Sequence, residues 1–151
     1  MVAKYPPVGF HFLLRIEGLE LQYPGMPDIG FTDVTGLEAN IATEEYKEGG
    51  ENRFTHKLPK RTSYGNLELK RGFFSSSAII DWCVDAIENF NFTAVNISIT
   101  LLNELHQPIA LLYVVNAYPT EWSTSGFNAQ SSDLVVESIK LNYAYFKQER
   151  F

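Results

Sequence analysis

A mainly β chain with one packed α-helix and an extended charged hairpin arm is the fold class that the sequence predicts, and three observations predict it. Runs that alternate apolar and polar residues recur along most of the chain, the period-two mark of strands with one buried face. One segment, about residues 77–89, instead places its apolar residues at helical spacing. A third stretch sets opposite charges on either side of Gly49-Gly50. With helix over about a dozen residues and strand over about half the chain, the expected architecture is a β-barrel or sandwich carrying one helix.

The elements follow in order. Phe10, Phe12, Leu14 and Ile16 alternate with His11, Leu13, Arg15 and Glu17, which predicts a first strand. Gly18–Gly30 holds two prolines and several turn formers and reads as a loop. A second strand is expected over Phe31–Val34 and a third over Leu37–Tyr46. Gly49-Gly50 interrupts the run, because adjacent glycines lose most backbone entropy in regular structure and suit turns. Arg53–Leu58 returns as a strand, with Pro59, which has no amide donor, at its end or on an edge. Asn66–Arg71 alternates again, Leu67 and Leu69 against Glu68 and Lys70.

The helix is expected over Ser77–Asn89, where Ile79, Trp82, Cys83, Ala86 and Ile87 form the core face and Asp81, Asp85 and Glu88 the solvent face. Ser75, Ser76 and Ser77 offer a hydroxyl cap at its start, and Asn89 suits its end. Beyond it, Thr93–Leu102 and Pro108–Asn116 predict a hairpin through a turn at Asn103–Gln107. Ala117-Tyr118-Pro119 marks an exit, Thr120–Thr124 a short strand, Ser125–Asp133 a polar loop, and Leu134 to about Phe146 the last strand. Phe73, Phe74, Phe90 and Phe92, which flank the helix, are assigned to the core.

Charge is unevenly placed. From Glu38 to Glu51 five glutamates face one lysine, a balance of −4, and from Arg53 to Arg71 six basic residues face one glutamate, a balance of +5. Half of the twelve lysines and arginines thus follow directly on the densest acidic cluster. A hairpin negative on one side and positive on the other attracts a copy of itself.

Length and composition narrow the options. With 151 residues, 45% of them hydrophobic, the chain buries a core of its own and is expected to form a single domain, 1–151. A net charge of −6 argues against a general nucleic-acid face, since phosphate contacts need clustered, uncompensated cations. No secretory signal is evident, and no apolar run approaches the roughly 20 residues of a membrane span, so a cytoplasmic origin is expected. Cys83, the one cysteine, leaves no internal disulfide.

Catalytic groupings are not found. His11, His56 and His106 are scattered, with no HxH or HExxH spacing that a metal would require. Phosphate-binding loops and nucleophile elbows are missing from the sequence as well. Asp81 and Asp85 stand four apart on one helix face and read as a solvated acidic surface, and Cys83 as a small core hydrophobe. Asn91-Phe92-Thr93 and Asn96-Ile97-Ser98 match the glycosylation pattern by accident, without a secretory route. An enzyme would need His56 or His106 to cluster with Glu45 or Asp133 in a cleft.

A set of strings, in their order and spacing, resembles a known family. These are Phe10-His11-Phe12, FTDVTGLEANIATEEYKEGG (31–50), KLP (57–59), LELKRG (67–72) followed by the helix with Trp82, LLNELHQPI (101–109), NAYP (116–119) and VVESIKLNY (135–143). The chain is similar to the tail-tube proteins of contractile injection systems: the phage tail tube, the antifeeding-prophage and virulence-cassette tubes and, more distantly, the type VI secretion tube.

That resemblance implies a tail-tube-like β-barrel or sandwich, in homo-hexameric rings stacked into a hollow tube inside a contractile sheath. It implies no catalysis and no cofactor or metal. The implied partners are the sheath, the baseplate and spike, tape-measure and cap proteins, and luminal cargo, either effector protein or phage DNA. No membrane insertion is implied, and the particle is made in the bacterial cytoplasm and held there, membrane-anchored or released. Joining sheets edge to edge around a ring covers strand edges that otherwise invite aggregation. The arm, about 42–60, is the expected contact between rings through Glu44, Glu45, Tyr46, Glu48, Lys57, Lys60 and Arg61, with Lys70 and Arg71 near the joint. Asn96, Ser98 and Thr100 are the expected lumen side.

Two features depart from the family pattern, a long first connection (19–30) and the ending AYFKQERF. They fit a specialised tube-initiator or cap-adaptor ring as an alternative to the repeated tube subunit. A monomeric small-ligand-binding β-barrel is a third reading, which would require an apolar cavity.

Overall fold

In the computed structural model, residues 11–18, 31–47, 49–50, 53–72, 78–130 and 135–151 are described. Nine strands and one helix are found among them: β1 (His11–Glu17), β2 (Asp33–Thr35), β3 (Ala39–Tyr46), β4 (His56–Tyr64), β5 (Leu67–Gly72), α1 (Ala78–Asn89), β6 (Val95–Leu102), β7 (Pro108–Thr124), β8 (Val136–Asn142) and β9 (Tyr145–Arg150). Seven strands form one antiparallel sheet along the path β1-β6-β7-β8-β5-β2, with β9 also paired to β7, while β3 and β4 pair only with each other. Among the described residues β1 and β2 end the path without meeting, so the sheet folds over as an open sandwich and does not close into a barrel.

The fold turns on β7. Its first half, through Ala117, lies between β6 and β9, and its second half pairs with β8. The sequence reads this stretch as two strands with an exit at Ala117-Tyr118-Pro119, yet the chain continues as one 17-residue strand. A bend replaces the break. Asn116 adopts a left-handed backbone (φ 56), and the ladder slips between Val95 and Ile97 on one side and between Pro119 and Glu121 on the other. Opposite the bend, the last strand divides at Tyr143-Ala144 and resumes to Arg150, further than expected, with Ala144 N–H donating to the Val115 carbonyl at 2.9 Å.

Side-chain alternation fills the space between the layers. Leu14 and Ile16 of β1, Leu67 and Leu69 of β5, Val95, Ile97 and Ile99 of β6, and Ile139 and Leu141 of β8 all point inward. Helix α1 plugs this cluster with Ile79, Trp82, Cys83 and Ala86. Trp82 Nε1 donates to the Thr93 carbonyl at 2.9 Å, which provides for the one polar group the indole brings inside. Ile87, expected in the core, is 54% exposed. At 3.6 residues per turn it sits about 90° from the centre of the buried face, at the rim of a depression shared with Tyr118, Pro119 and Thr120 of β7. The proposed serine cap at 75–77 lies outside the described residues, as do the loop at 19–30 and Phe73 and Phe74.

Two charged residues are buried with the apolar ones. Arg71 of β5 and Glu137 of β8 are cross-strand partners, 0% and 2% exposed, with Nε 3.6 Å from Oε2 and the guanidinium 5.0 Å above the Phe31 ring. Arg71 was expected near a joint between subunits, and its side chain instead belongs to the interior. The sequence places it on the face of Leu67 and Leu69 by simple alternation, so its register rather than its charge decided where it went.

Three consequences are measurable. Trp82→Ala removes the largest buried side chain and is expected to cost about 3–5 kcal/mol in chemical denaturation; a variant that melts like the parent would contradict this packing. Arg71→Met strands Glu137 in the core and is expected to cost about 3–5 kcal/mol, whereas Arg71→Met with Glu137→Leu recovers most of it; equal losses in single and double variants would show that the two charges do not depend on each other. Burial pushes the Cys83 thiol up from 9.0 to about 12, Arg71 opposing and Glu137 adding to the rise. A thiol kept neutral by the fold stabilises it fully below pH 9, and that contribution is lost as pH rises from 9 towards 12, where only the unfolded chain ionises. The alkaline loss of stability is expected to be shallower in Cys83→Ala, and identical slopes would exclude the thiol as its source.

Candidate functional site

The arm is built from a ribbon that has no layer beneath it among the described residues. β3 and β4 pair from Ala39 with Tyr64 to Tyr46 with His56, and every residue of β3 is exposed. Four exposed residues, Ile41, Tyr46, Phe54 and Leu58, are large and apolar. The expected return strand, Arg53–Leu58, starts later, at His56, and runs on to Tyr64 through Pro59. Pro59 sits opposite Thr43 beside a register shift, where a strand tolerates a residue that donates no hydrogen bond.

Folding the acidic stretch onto the basic one gives the ribbon two unlike edges. Glu44 and Glu45 run along β3, and Lys57, Lys60 and Arg61 along β4. Glu45 faces Lys57 across the ladder, and Lys60 Nζ lies 3.9 Å from Glu44 Oε1 with both groups largely in water. Such exposed pairs contribute little to stability, so the arrangement is better suited to orienting a partner than to holding the ribbon together. Tyr46, His56 and Leu58 share one face by register, and the Phe54 ring stands edge-on to His56 at 4.8 Å. Glu48 lies outside the described residues.

At its base the arm is tied to the body. Gly65 N–H donates to the Glu38 carbonyl at 3.1 Å, and the Tyr64 ring packs on Tyr143 and Phe146 at 6.0 and 5.4 Å. Burial, then Glu38 and Tyr64, raise the Tyr143 phenol above its usual range. Gly36 enters the arm with φ 89, where a Cβ would collide with the Asn66 carbonyl oxygen, so only glycine fits. Lys70, by contrast, lies in the body on the outer face of β5, 3.7 Å from Glu68. Its neighbours continue a charged ladder across the sheet, Glu68 opposite Lys140 and Lys140 3.6 Å from Glu121.

Asn96, Ser98 and Thr100 lie on the face of β6 opposite Val95, Ile97 and Ile99. Register puts Arg15, Tyr113 and Lys147 on the same side, so the outer face of this half-sheet is mixed polar and aromatic. One member has a structural task, since Asn96 Oδ1 accepts from Asn116 N–H at 3.2 Å and braces the bend in β7.

Two features escaped the sequence. His11 and His106 meet, Nε2 to Nδ1 at 2.7 Å, although 95 positions separate them, because β1 lies beside the end of β6 and the turn that follows. His56 pairs with Tyr46 on the arm, and Asp133 is outside the described residues. No group of three or more metal-ligating side chains occurs among the described residues. Phe90 and Phe92, assigned to the core, are 82% and 43% exposed. With Ile87 and Tyr118 they border an apolar depression of about 280 Å³. A second apolar cleft, about 340 Å³, opens between β2 and the sheet of β1, β6 and β7, lined by Phe12, Val34, Leu37, Ile99, Leu101 and Leu112.

Known proteins place this architecture. The family model of the T4-like virus tail tube protein gp19 matches residues 8–147. Among solved structures, a chain of the PVC extracellular contractile injection system, from its sheath-tube complex in the extended state, is 26% identical with a TM-score of 0.80, covering 98% of this chain and 94% of that one. A chain of the anti-feeding prophage cap is 27% identical with a TM-score of 0.80, covering 100% and 95%. A chain of the anti-feeding prophage baseplate shares the fold at a TM-score of 0.85 and 24% identity, covering 98% of each. No curated protein sequence matches. An uncovered two-stranded arm on an open antiparallel sandwich, together with a family match across nearly the whole length, leads to one conclusion: the chain belongs to the T4-like tail tube protein family, the structural subunits from which such tubes are built.

Proposed function

We propose that this subunit closes into six-membered rings, and that the rings stack into the inner tube of a contractile injection system or phage tail. The observation that carries the reading is the arm. A two-stranded ribbon is marginal in water by itself, and this one leaves four large apolar side chains and two oppositely charged edges uncovered. Head-to-tail contact between copies covers such an element at every position but the last, which is the logic of a ring or a stack. Glu44, Glu45, Tyr46, Lys57, Lys60 and Arg61 are the contact residues in this reading, with Lys70 beside them on β5.

Ring closure joins the free edges of the body sheets and puts one sheet face towards a lumen. The face of Asn96, Ser98 and Thr100 is the proposed lining, since hydroxyl and amide groups let cargo slide without a strong field to hold it. The tube's task is mechanical: it passes on thrust and does no chemistry. A sheath, a tape-measure protein, a spike and either effector protein or DNA as cargo are the partners this reading assigns. No helix among the described residues is long and apolar enough to cross a membrane.

A second reading within the same machine, a ring that initiates the tube at the baseplate or adapts it to the cap, draws on the similarity to a chain of the anti-feeding prophage cap, equal in TM-score to that with the sheath-tube complex. The two readings differ in copy number. A repeated subunit stacks without limit, and an initiator or adaptor stops at one ring.

Negative-stain microscopy and light scattering of the purified chain at rising concentration test the proposal. Hexagonal rings, alone or stacked, are expected, and a single monomeric species at all concentrations would overturn it. The triple variant Lys57→Glu, Lys60→Glu, Arg61→Glu is expected to keep the melting temperature within a few degrees and to lose stacking. Normal tubes from that variant would remove the arm's basic edge from the contact.

A further inference from the structure

The end of α1 carries a costly and unexplained arrangement. Phe90 follows the last helical residue with φ 53, the left-handed position at which helices usually place glycine. Asp85 holds the chain there: its side chain accepts from Asn89 Nδ2 at 2.8 Å and Asn91 Nδ2 at 3.1 Å, and its carbonyl accepts from Asn91 N–H at 3.1 Å. The result is a phenylalanine ring 82% exposed, edge-on to Phe92 at 4.9 Å, which is itself edge-on to Tyr118 at 5.9 Å. Stability alone favours neither the backbone nor the exposure. Ile87 completes the rim of the depression, and Ala86 and Pro119 lie in it.

The helix on one side of this depression has one sign of charge. α1 carries Asp81, Asp85 and Glu88 and no cation. The arm has the complementary character, with exposed Leu58 next to Lys60 and Arg61 along β4 and exposed Phe54 just before that strand. Both surfaces are uncovered in the lone subunit, and a single head-to-tail contact between copies covers both. We infer that the aromatic depression at the end of α1 is the seat for the arm of a second copy, taking its apolar side chains while Lys60 and Arg61 face Glu88. This rests on the tube reading and names the receiving surface that reading leaves open.

Phe90→Gly separates docking from folding, because glycine relaxes the left-handed residue while removing the ring. The full-length variant is expected to melt at or above the parental temperature and to need at least about tenfold more protein to assemble. Glu88→Lys is expected to weaken assembly similarly, and Glu88→Lys combined with Lys60→Glu to restore it. If the parent forms tubes and both single variants form them at the same concentration, the depression is not the seat and the tube reading stands. Tubes that assemble normally from Phe90→Gly but no longer take a sheath would also overturn the inference, assigning the surface to another partner. A parent that forms no ring at all removes the tube reading itself.

Discussion

The bend in β7 is the constraint on which everything else depends. A strand 17 residues long cannot stay flat between two layers, and this one changes partners midway, from β6 and β9 to β8. The left-handed Asn116, the slipped ladders on either side and the matching break at Tyr143-Ala144 let it turn, with Asn116 N–H held by Asn96 and the Val115 carbonyl by Ala144 N–H. Both halves of the sandwich therefore hang from one covalent strand. The helix fills the angle between them, and the Arg71 and Glu137 pair crosses the ladder in the second half, with the guanidinium over the Phe31 ring.

Among the described residues, nothing in that body covers β3 and β4 beyond their root. The arm leaves between Gly36 and Gly65, and aromatic packing of Tyr64 on Tyr143 and Phe146 holds only its root. Beyond the root its own ion pairs are solvated and weak. An element with so little internal support calls for support from outside the subunit, which in the proposed reading comes from further copies of the chain.

Charge in this protein has two distinct uses. Inside, Arg71 meets Glu137 where water is excluded, and removal of either would leave an uncompensated ion. Outside, charges run in strips: glutamates along β3, lysine and arginine along β4, acids on α1, and an alternating ladder from Glu68 through Lys140 to Glu121. Strips of one sign set direction and register between surfaces more than they add affinity. A mechanical tube needs that property, since its subunits must add in one orientation.

Local patterns reached far into this structure. Alternation located β1, β5 and β6 and their buried faces, helical spacing found α1 and four of its core residues, and the Gly-Gly turn with its charge reversal found the arm, since all of these follow from the geometry of a single element. The tertiary structure alone decided the rest. Arg71 shares a face with two leucines, and only the arrival of Glu137 opposite it makes burial there tolerable. Ile87, Phe90 and Phe92 have core composition, but no described element buries them. His11 and His106 touch because two distant strands are neighbours, and β7 is continuous because its bend is stabilised by partners at both edges. Periodicity states which side of an element is apolar; whether that side is covered depends on what else the chain, or another copy of it, brings there.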